Sequence, residues 1–110
     1  MKQYLVDELR PADHDQLKAY LDTRYAVSGF ERLYWIPLPF ELLEEEQAVH
    51  LECQPHYLAL ELLPDRLACE LLVRSQQRIR CNCIQYASER QRNWLIQVVD
   101  RFFELLGIQC

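Results

Sequence analysis

Glycine is nearly absent from this sequence, which has two glycines in 110 residues. Sites built on glycine-rich phosphate loops are therefore excluded, because neither a G-x-G-x-x-G pattern nor a Walker A pattern is present. No apolar run approaches the ~20 residues that a membrane-spanning helix needs. The first residues also lack the basic and apolar regions of a signal peptide. We therefore expect a cytoplasmic protein that makes no membrane contact.

The cysteines lack the arrangement of a disulfide scaffold or a redox motif. Their number, five, is odd, and none of them forms a C-x-x-C pair. Because thiols stay reduced in the cytosol, we expect free cysteines. A G-x-S-x-G nucleophile elbow is missing as well, and Ser28, Ser75 and Ser88 are explained by a turn, a loop and a helix cap. We predict no catalytic residues and no enzymatic activity.

The chain has what a folded domain needs. Half of its residues are hydrophobic and its net charge is −5, which predicts one compact domain over residues 1–110. Alternating apolar residues predict strands at 3–9, 32–38, 58–62, 67–73 and 79–84, and helical spacing predicts helices at 12–25, 41–49 and 89–106. The order β-α-β-(α)-β-β-β-α indicates the α+β class, with a mainly antiparallel sheet and helices packed on one face.

The last predicted helix has the strongest boundary signals. Ser88 and Gln91 have the spacing of a capping box at its start, and Gly107 stands where a C-terminal cap is expected. Trp94, Val98 and Phe102 recur four residues apart. We expect this stripe to pack against the sheet.

The strand pattern also predicts a register for the cysteines. It places Leu60 opposite Cys69, and Cys69 opposite Cys83, so that Cys69, Cys81 and Cys83 lie together under the last helix. Free cysteine behaves as a small buried hydrophobe, so this arrangement favours core filling.

A short segment before the first hairpin is rich in side chains that can bind metals. His50, Cys53 and His56 recur at three-residue intervals, and zinc accepts both imidazole and thiolate ligands. Pro55 interrupts any helical face that they could share, so a solvated connector is favoured and we expect no metal or other cofactor. The alternative is a metal- or redox-responsive protein that uses one of two groups: His50, Cys53 and His56, or Cys69, Cys81 and Cys83.

Charge is divided unevenly along the chain. Residues 1–65 carry 5 basic and 13 acidic side chains, a net −8, whereas residues 66–110 carry 7 and 4, a net +3. A pI near 5.1 argues against a nucleic-acid binder. Weak nucleic-acid binding through the basic residues remains an alternative function. The predicted basic patch consists of Arg74, Arg78, Arg80, Arg90 and Arg92.

The outer face of the predicted hairpins mixes apolar and charged side chains, as association surfaces do. The alternative is that Tyr34, Trp35 or the first helix covers this face. The leading prediction is therefore a non-enzymatic interaction module, adaptor-like or chaperone-like, that binds a second copy of itself or another protein. The predicted interface residues are Tyr57, Leu72, Arg80, Ile84 and Tyr86.

Overall fold

A computed structural model describes residues 2–25, 32–75, 77 and 80–108. It confirms the α+β class, and the order of elements follows the prediction approximately. The strands are β1 (Gln3–Val6), β2 (Leu33–Pro37), β3 (His56–Leu63), β4 (Arg66–Glu70), β5 (Leu72–Ser75) and β6 (Gln85–Tyr86). The helices are α1 (Pro11–Arg24), α2 (Glu45–Ala48) and α3 (Glu89–Leu106).

The strands form one antiparallel sheet around β3. Strand β2 pairs with one edge of β3, and β4 and β5 pair with the other. The partner of the N-terminal strand, which the sequence leaves open, is β4, and β6 pairs with β5. Within the described chain β2 pairs with β3 alone, so Pro37 lies in an edge strand, where a missing N–H is tolerated.

A strand that the sequence predicts as continuous is divided at Leu71 into β4 and β5. Leu60 lies opposite Cys69, as predicted, and Tyr57 lies opposite Arg74. Cys69 and Arg74 are therefore five positions apart along β4 and β5, whereas their partners on β3, Leu60 and Tyr57, are three positions apart. The two extra residues form a bulge, which changes the direction of the strand before the cysteine-containing segment begins.

Helix α3 has the predicted bounds, capping box and left-handed Gly107, but its buried face differs from the prediction. Among the proposed stripe only Phe102 is fully buried, while Trp94 and Val98 are half-buried. A helix has 3.6 residues per turn, so residues exactly four positions apart drift away from the face that packs on the core. The core-facing positions are therefore separated by steps of both four and three residues. The buried apolar residues of α3 are Leu95, Val99, Phe102 and Phe103.

The predicted strand 79–84 is wrong. The described part of this segment, residues 80–84, is a bend and a turn, in which the Ile84 N–H donates to the Cys81 carbonyl at 3.0 Å. Cys83 therefore does not pair with Cys69, whose strand partners lie on β1 and β3. Alternation over six residues is a weak signal, and here a local turn satisfies the backbone instead of a ladder.

Residues 38–55, the connector, link β2 to β3. In place of the predicted helix 41–49 the connector contains a 3₁₀ turn (Phe40–Leu42) and α2, and a second 3₁₀ turn (Leu51–Cys53) follows. The connector packs on the start of α3 through two fully buried amides, since Gln91 Nε2 donates to Gln47 Oε1 at 2.8 Å. These contacts fix the connector against the rest of the domain.

Within the described ranges, no helix combines the length and the apolar character that crossing a bilayer requires.

Candidate functional site

Four side chains that can bind metals converge between the connector and the turn before β6. A ring nitrogen of His50 and the sulfurs of Cys81 and Cys83 all lie within 4.8 Å of one another. The Cys81 sulfur is 3.5 Å from His50 Nδ1 and 3.5 Å from the Cys53 sulfur. Cys53 and His50 lie 28 and 31 positions before Cys81, so two distant segments contribute two side chains each.

Each of the two segments holds its pair of side chains on a tight turn. The Cys53 N–H donates to the His50 carbonyl at 3.0 Å, and the Ile84 N–H donates to the Cys81 carbonyl at the same distance. These local hydrogen bonds direct both side chains of each pair to one side of the backbone.

Longer contacts hold the two turns in place relative to each other. The Ser75 hydroxyl on β5 donates to the Cys53 carbonyl. Gln47 Nε2 donates to the Cys83 carbonyl at 3.4 Å. Because Gln47 also bonds to Gln91, the cluster is connected to the first turn of α3.

The three thiols of the cluster differ in acidity. Burial raises the pKa of Cys83 to about 12, and burial likewise raises the pKa of Cys53. The pKa of Cys81 is lowered, first by hydrogen bonding from the Cys83 backbone N–H and then from the Cys83 thiol. Cys81, which is half-buried, is thus the thiol of the cluster that ionises most readily.

The sequence indicates two groups of possible metal ligands, and the cluster contains two residues from each group. His50 and Cys53 come from the connector group, without His56, and Cys81 and Cys83 come from the other group, without Cys69. The prediction that Cys69, Cys81 and Cys83 lie together in the core is wrong, because residues 80–84 turn away from the sheet. The sequence could have indicated the correct set, since an H-x-x-C pair and a C-x-C pair are both visible.

The two excluded residues are buried elsewhere. Burial raises the pKa of Cys69 to about 12 in the core between β1 and β3. His56 is 1% exposed, and neither ring nitrogen has a hydrogen-bond partner among the described residues. Burial, followed by the nearby His50, lowers the pKa of His56, so its imidazole is neutral at physiological pH.

The connector also exposes apolar side chains. Phe40 is 60% exposed, Val49 65% and Leu51 70%, which are three of the six exposed large hydrophobic residues in the described chain. A groove of about 350 Å³ runs beside Phe40. Sequence analysis missed this surface, because its residues look like one side of a short amphipathic helix. The groove is lined by Leu38, Phe40, Leu43, Gln54, Pro55 and His56.

The segment that carries these exposed apolar residues is also rich in acidic ones. The connector contains five glutamates and neither lysine nor arginine. Within the described chain only Glu44 has an ion-pair partner, Arg90, at 3.4 Å. The exposed glutamates are Glu41, Glu45, Glu46 and Glu52.

The predicted sheet-face interface is only partly exposed. Tyr57 is buried, with its ring centroid 4.8 Å from that of Trp35, which matches the alternative in which Trp35 covers this face. Leu72 and Ile84 are half-buried, and Tyr86 and Arg80 are exposed. Tyr57 lies opposite Arg74 in the sheet and Leu72 lies opposite Tyr86, so Tyr57 and Leu72 do not lie opposite each other.

Two members of the predicted basic patch are already paired with carboxylates. Arg74 bonds to Glu70 at 2.5 Å, and Arg90 pairs with Glu44 of the connector. Arg80 and Arg92 are exposed, and Arg78 lies outside the described residues. The contact of Arg90 with Glu44 joins the basic and acidic parts of the chain.

Comparisons with known proteins give one partial similarity. Over 76 residues the chain is 32% identical to a Danio rerio protein described as "Intraflagellar transport protein 122 homolog". The match covers 64% of this chain and 6% of that protein. No protein-family model matches the chain, and no solved structure matches it.

Proposed function

We propose that this chain is a non-enzymatic protein-interaction module that binds its partner through the connector. The observation that carries the proposal is the exposure of Phe40, Val49 and Leu51 within one short segment. Scattered single apolar residues are normal on a protein surface, but a concentration of them marks a contact region.

The charge of the connector defines the kind of partner. Its exposed glutamates repel nucleic-acid phosphates and attract lysine and arginine. The partner is therefore a protein segment that carries apolar side chains flanked by basic ones.

The connector has the rigidity that such a surface needs. Arg90 Nη1 donates to the Glu41 carbonyl at 3.1 Å, and Gln91 Nε2 donates to the Leu42 carbonyl at 2.9 Å. A surface that is ordered before binding loses less conformational entropy when its partner docks.

Comparative affinity capture tests the proposal. The wild-type chain, a Val49→Ser/Leu51→Ser variant and a Leu105→Ser control are immobilised and exposed to the same cell extract. Leu105 is 61% exposed on α3, so its substitution removes an equally exposed apolar side chain outside the connector. We expect proteins that the wild type and the control retain equally and that the double variant retains at least about tenfold less, a loss of ~1.4 kcal/mol. Equal retention by all three chains would show that the connector is not the interface.

Two other functions predicted from the sequence stay predictions. They are a homodimer formed through the sheet face and weak nucleic-acid binding through the arginines. The burial of Tyr57 and the pairing of Arg74 with Glu70 reduce the surface that each would use.

A further inference from the structure

We propose that His50, Cys53, Cys81 and Cys83 bind one Zn²⁺ ion, which has a structural role. This inference is independent of the proposed interaction, because it rests on the positions of the four side chains alone.

Two of the separations between donor atoms match zinc coordination. Zn–S bonds of about 2.3 Å and Zn–N bonds of about 2.0 Å, arranged tetrahedrally, separate two sulfurs by about 3.8 Å and a sulfur from a nitrogen by about 3.5 Å. The observed separations are 3.5 Å between the sulfurs of Cys53 and Cys81 and 3.5 Å between the Cys81 sulfur and His50 Nδ1. A disulfide would bring the sulfurs to about 2.05 Å.

Core filling does not explain this arrangement. Cysteines that fill a core are dispersed among hydrocarbon side chains, as Cys69 is between Leu60 and Tyr4. Here three sulfurs meet one another and an imidazole, and His50 and Cys81 are only half-buried. Burying such a group of ligand atoms together contributes little to the free energy of folding. The same group is well placed to bind one cation.

The donor set selects the metal and its role. Three thiolates and one imidazole are soft and borderline ligands, which favour zinc over the oxygen-binding magnesium and calcium ions. Four protein ligands complete a tetrahedron and leave no position for a water molecule or a substrate, which is the pattern of structural zinc. Binding is an exchange without redox change, in which Zn²⁺ replaces the thiol protons and these are released to solvent.

Hydrogen bonds within the protein position both ligand turns. Each pair stands on its own hydrogen-bonded turn, and Gln47 and Ser75 hold the Cys83 and Cys53 carbonyls. The ion would therefore join the connector to the segment that enters β6, two parts of the chain that the Gln47–Cys83 hydrogen bond also connects.

Metal content and spectroscopy of the purified chain test the site. The protein is purified without chelator or a histidine tag, and zinc is measured by native mass spectrometry. We expect one zinc ion per chain. Replacement of zinc by Co²⁺ is expected to give the thiolate-to-cobalt charge-transfer band and the intense visible bands of a tetrahedral site. A cobalt spectrum typical of octahedral oxygen coordination, or a chain that takes up no zinc at equimolar concentration, would overturn the proposal.

Matched variants identify the ligands. Cys81→Ser and His50→Ala are expected to weaken zinc binding by more than about a hundredfold. Removal of a ligand lowers metal affinity more than removal of a residue that only orients a ligand. Cys69→Ala and His56→Ala are the controls, since each removes a buried residue of the same type outside the cluster. Circular dichroism confirms that each variant is folded. Should the folded His56→Ala variant lose zinc while His50→Ala keeps it, the assignment of the fourth ligand is wrong.

Discussion

Two glutamine side chains illustrate how single residues organise this domain. Gln47 and Gln91 each occupy the third helical position of a capping box, on α2 and α3 respectively, and both are fully buried. Gln47 Oε1 accepts from the Glu44 N–H and from Gln91 Nε2. Buried amides are costly unless they are paired, so this pair fixes the connector in one position rather than adding much net stability.

Replacement of Gln91 tests this interpretation at the residue scale. Gln91→Leu leaves the half-buried Leu42 carbonyl without its donor and the Ser88 N–H without its acceptor. We expect the free energy of unfolding to fall by about 1–3 kcal/mol, as measured by denaturant titration. Gln97→Leu, an exposed position on the same helix, is the control and should change stability little. Equal effects of the two variants would mean that the buried amide pair has no special role.

The contact between helix α1 and strand β2 depends on the charge of the Asp22 carboxylate. The Tyr34 hydroxyl donates to Asp22 Oδ1 at 2.5 Å, and Lys18 Nζ lies 3.0 Å from the other carboxylate oxygen. The hydrogen bond from Tyr34, followed by that from Lys18, lowers the pKa of Asp22 below its usual value of 3.8. Because the folded-state pKa is lower than the unfolded one, the stabilisation is complete above the unfolded pKa and is lost as pH falls through the folded one.

This contact predicts a pH-dependent effect of Tyr34→Phe. The ring stays buried, and only the hydroxyl that binds the carboxylate is lost. We expect the variant to be less stable than wild type by about 1 kcal/mol at neutral pH, a value reduced for the partial exposure of Asp22. The difference should shrink once Asp22 is protonated. Thermal unfolding at several pH values measures it, with Tyr86→Phe as the control; a difference that does not change with pH would contradict the assignment.

The elements that could be predicted from sequence are those with strong local signals. Helix α3 has Ser88 and Gly107 at its ends, and its bounds follow from them. Residues 80–84 have only a short alternation, which a turn overrides, and Leu71 divides a strand through a bulge that no turn residue announces. Local chemistry is visible in a sequence, whereas bulges and turns stabilised by distant contacts are not.

The metal-binding cluster depends on the whole molecule, which explains why sequence analysis divided it incorrectly. The sequence shows all four residues as possible ligands, but its pattern groups His50 and Cys53 with His56, and Cys81 and Cys83 with Cys69. The correct grouping follows from the path of β5 and β6, which brings the C-x-C turn back to the connector. Once residues 79–84 are assigned to a strand, that path is lost.

At the scale of the whole molecule, zinc should stabilise one region more than the rest. An ion that binds only the folded chain, at a free concentration of 100 times its Kd, adds about 2.7 kcal/mol to the free energy of unfolding. For a domain of this size, that corresponds to a rise in Tm of roughly 10 °C or more. We expect chelation to lower the Tm of the wild-type chain and to leave that of Cys81→Ser unchanged.

Hydrogen exchange distinguishes local from general stabilisation. The amides of α3 around Leu95 and Val99 are protected by core packing, which zinc does not touch. Those of the connector and of residues 81–84 are held by turns whose side chains the ion would join. Removal of zinc should therefore accelerate exchange most in these two segments, because they can open without unfolding the sheet. Acceleration of the same size throughout the chain would instead mean that the connector and the C-x-C turn open only when the whole domain unfolds.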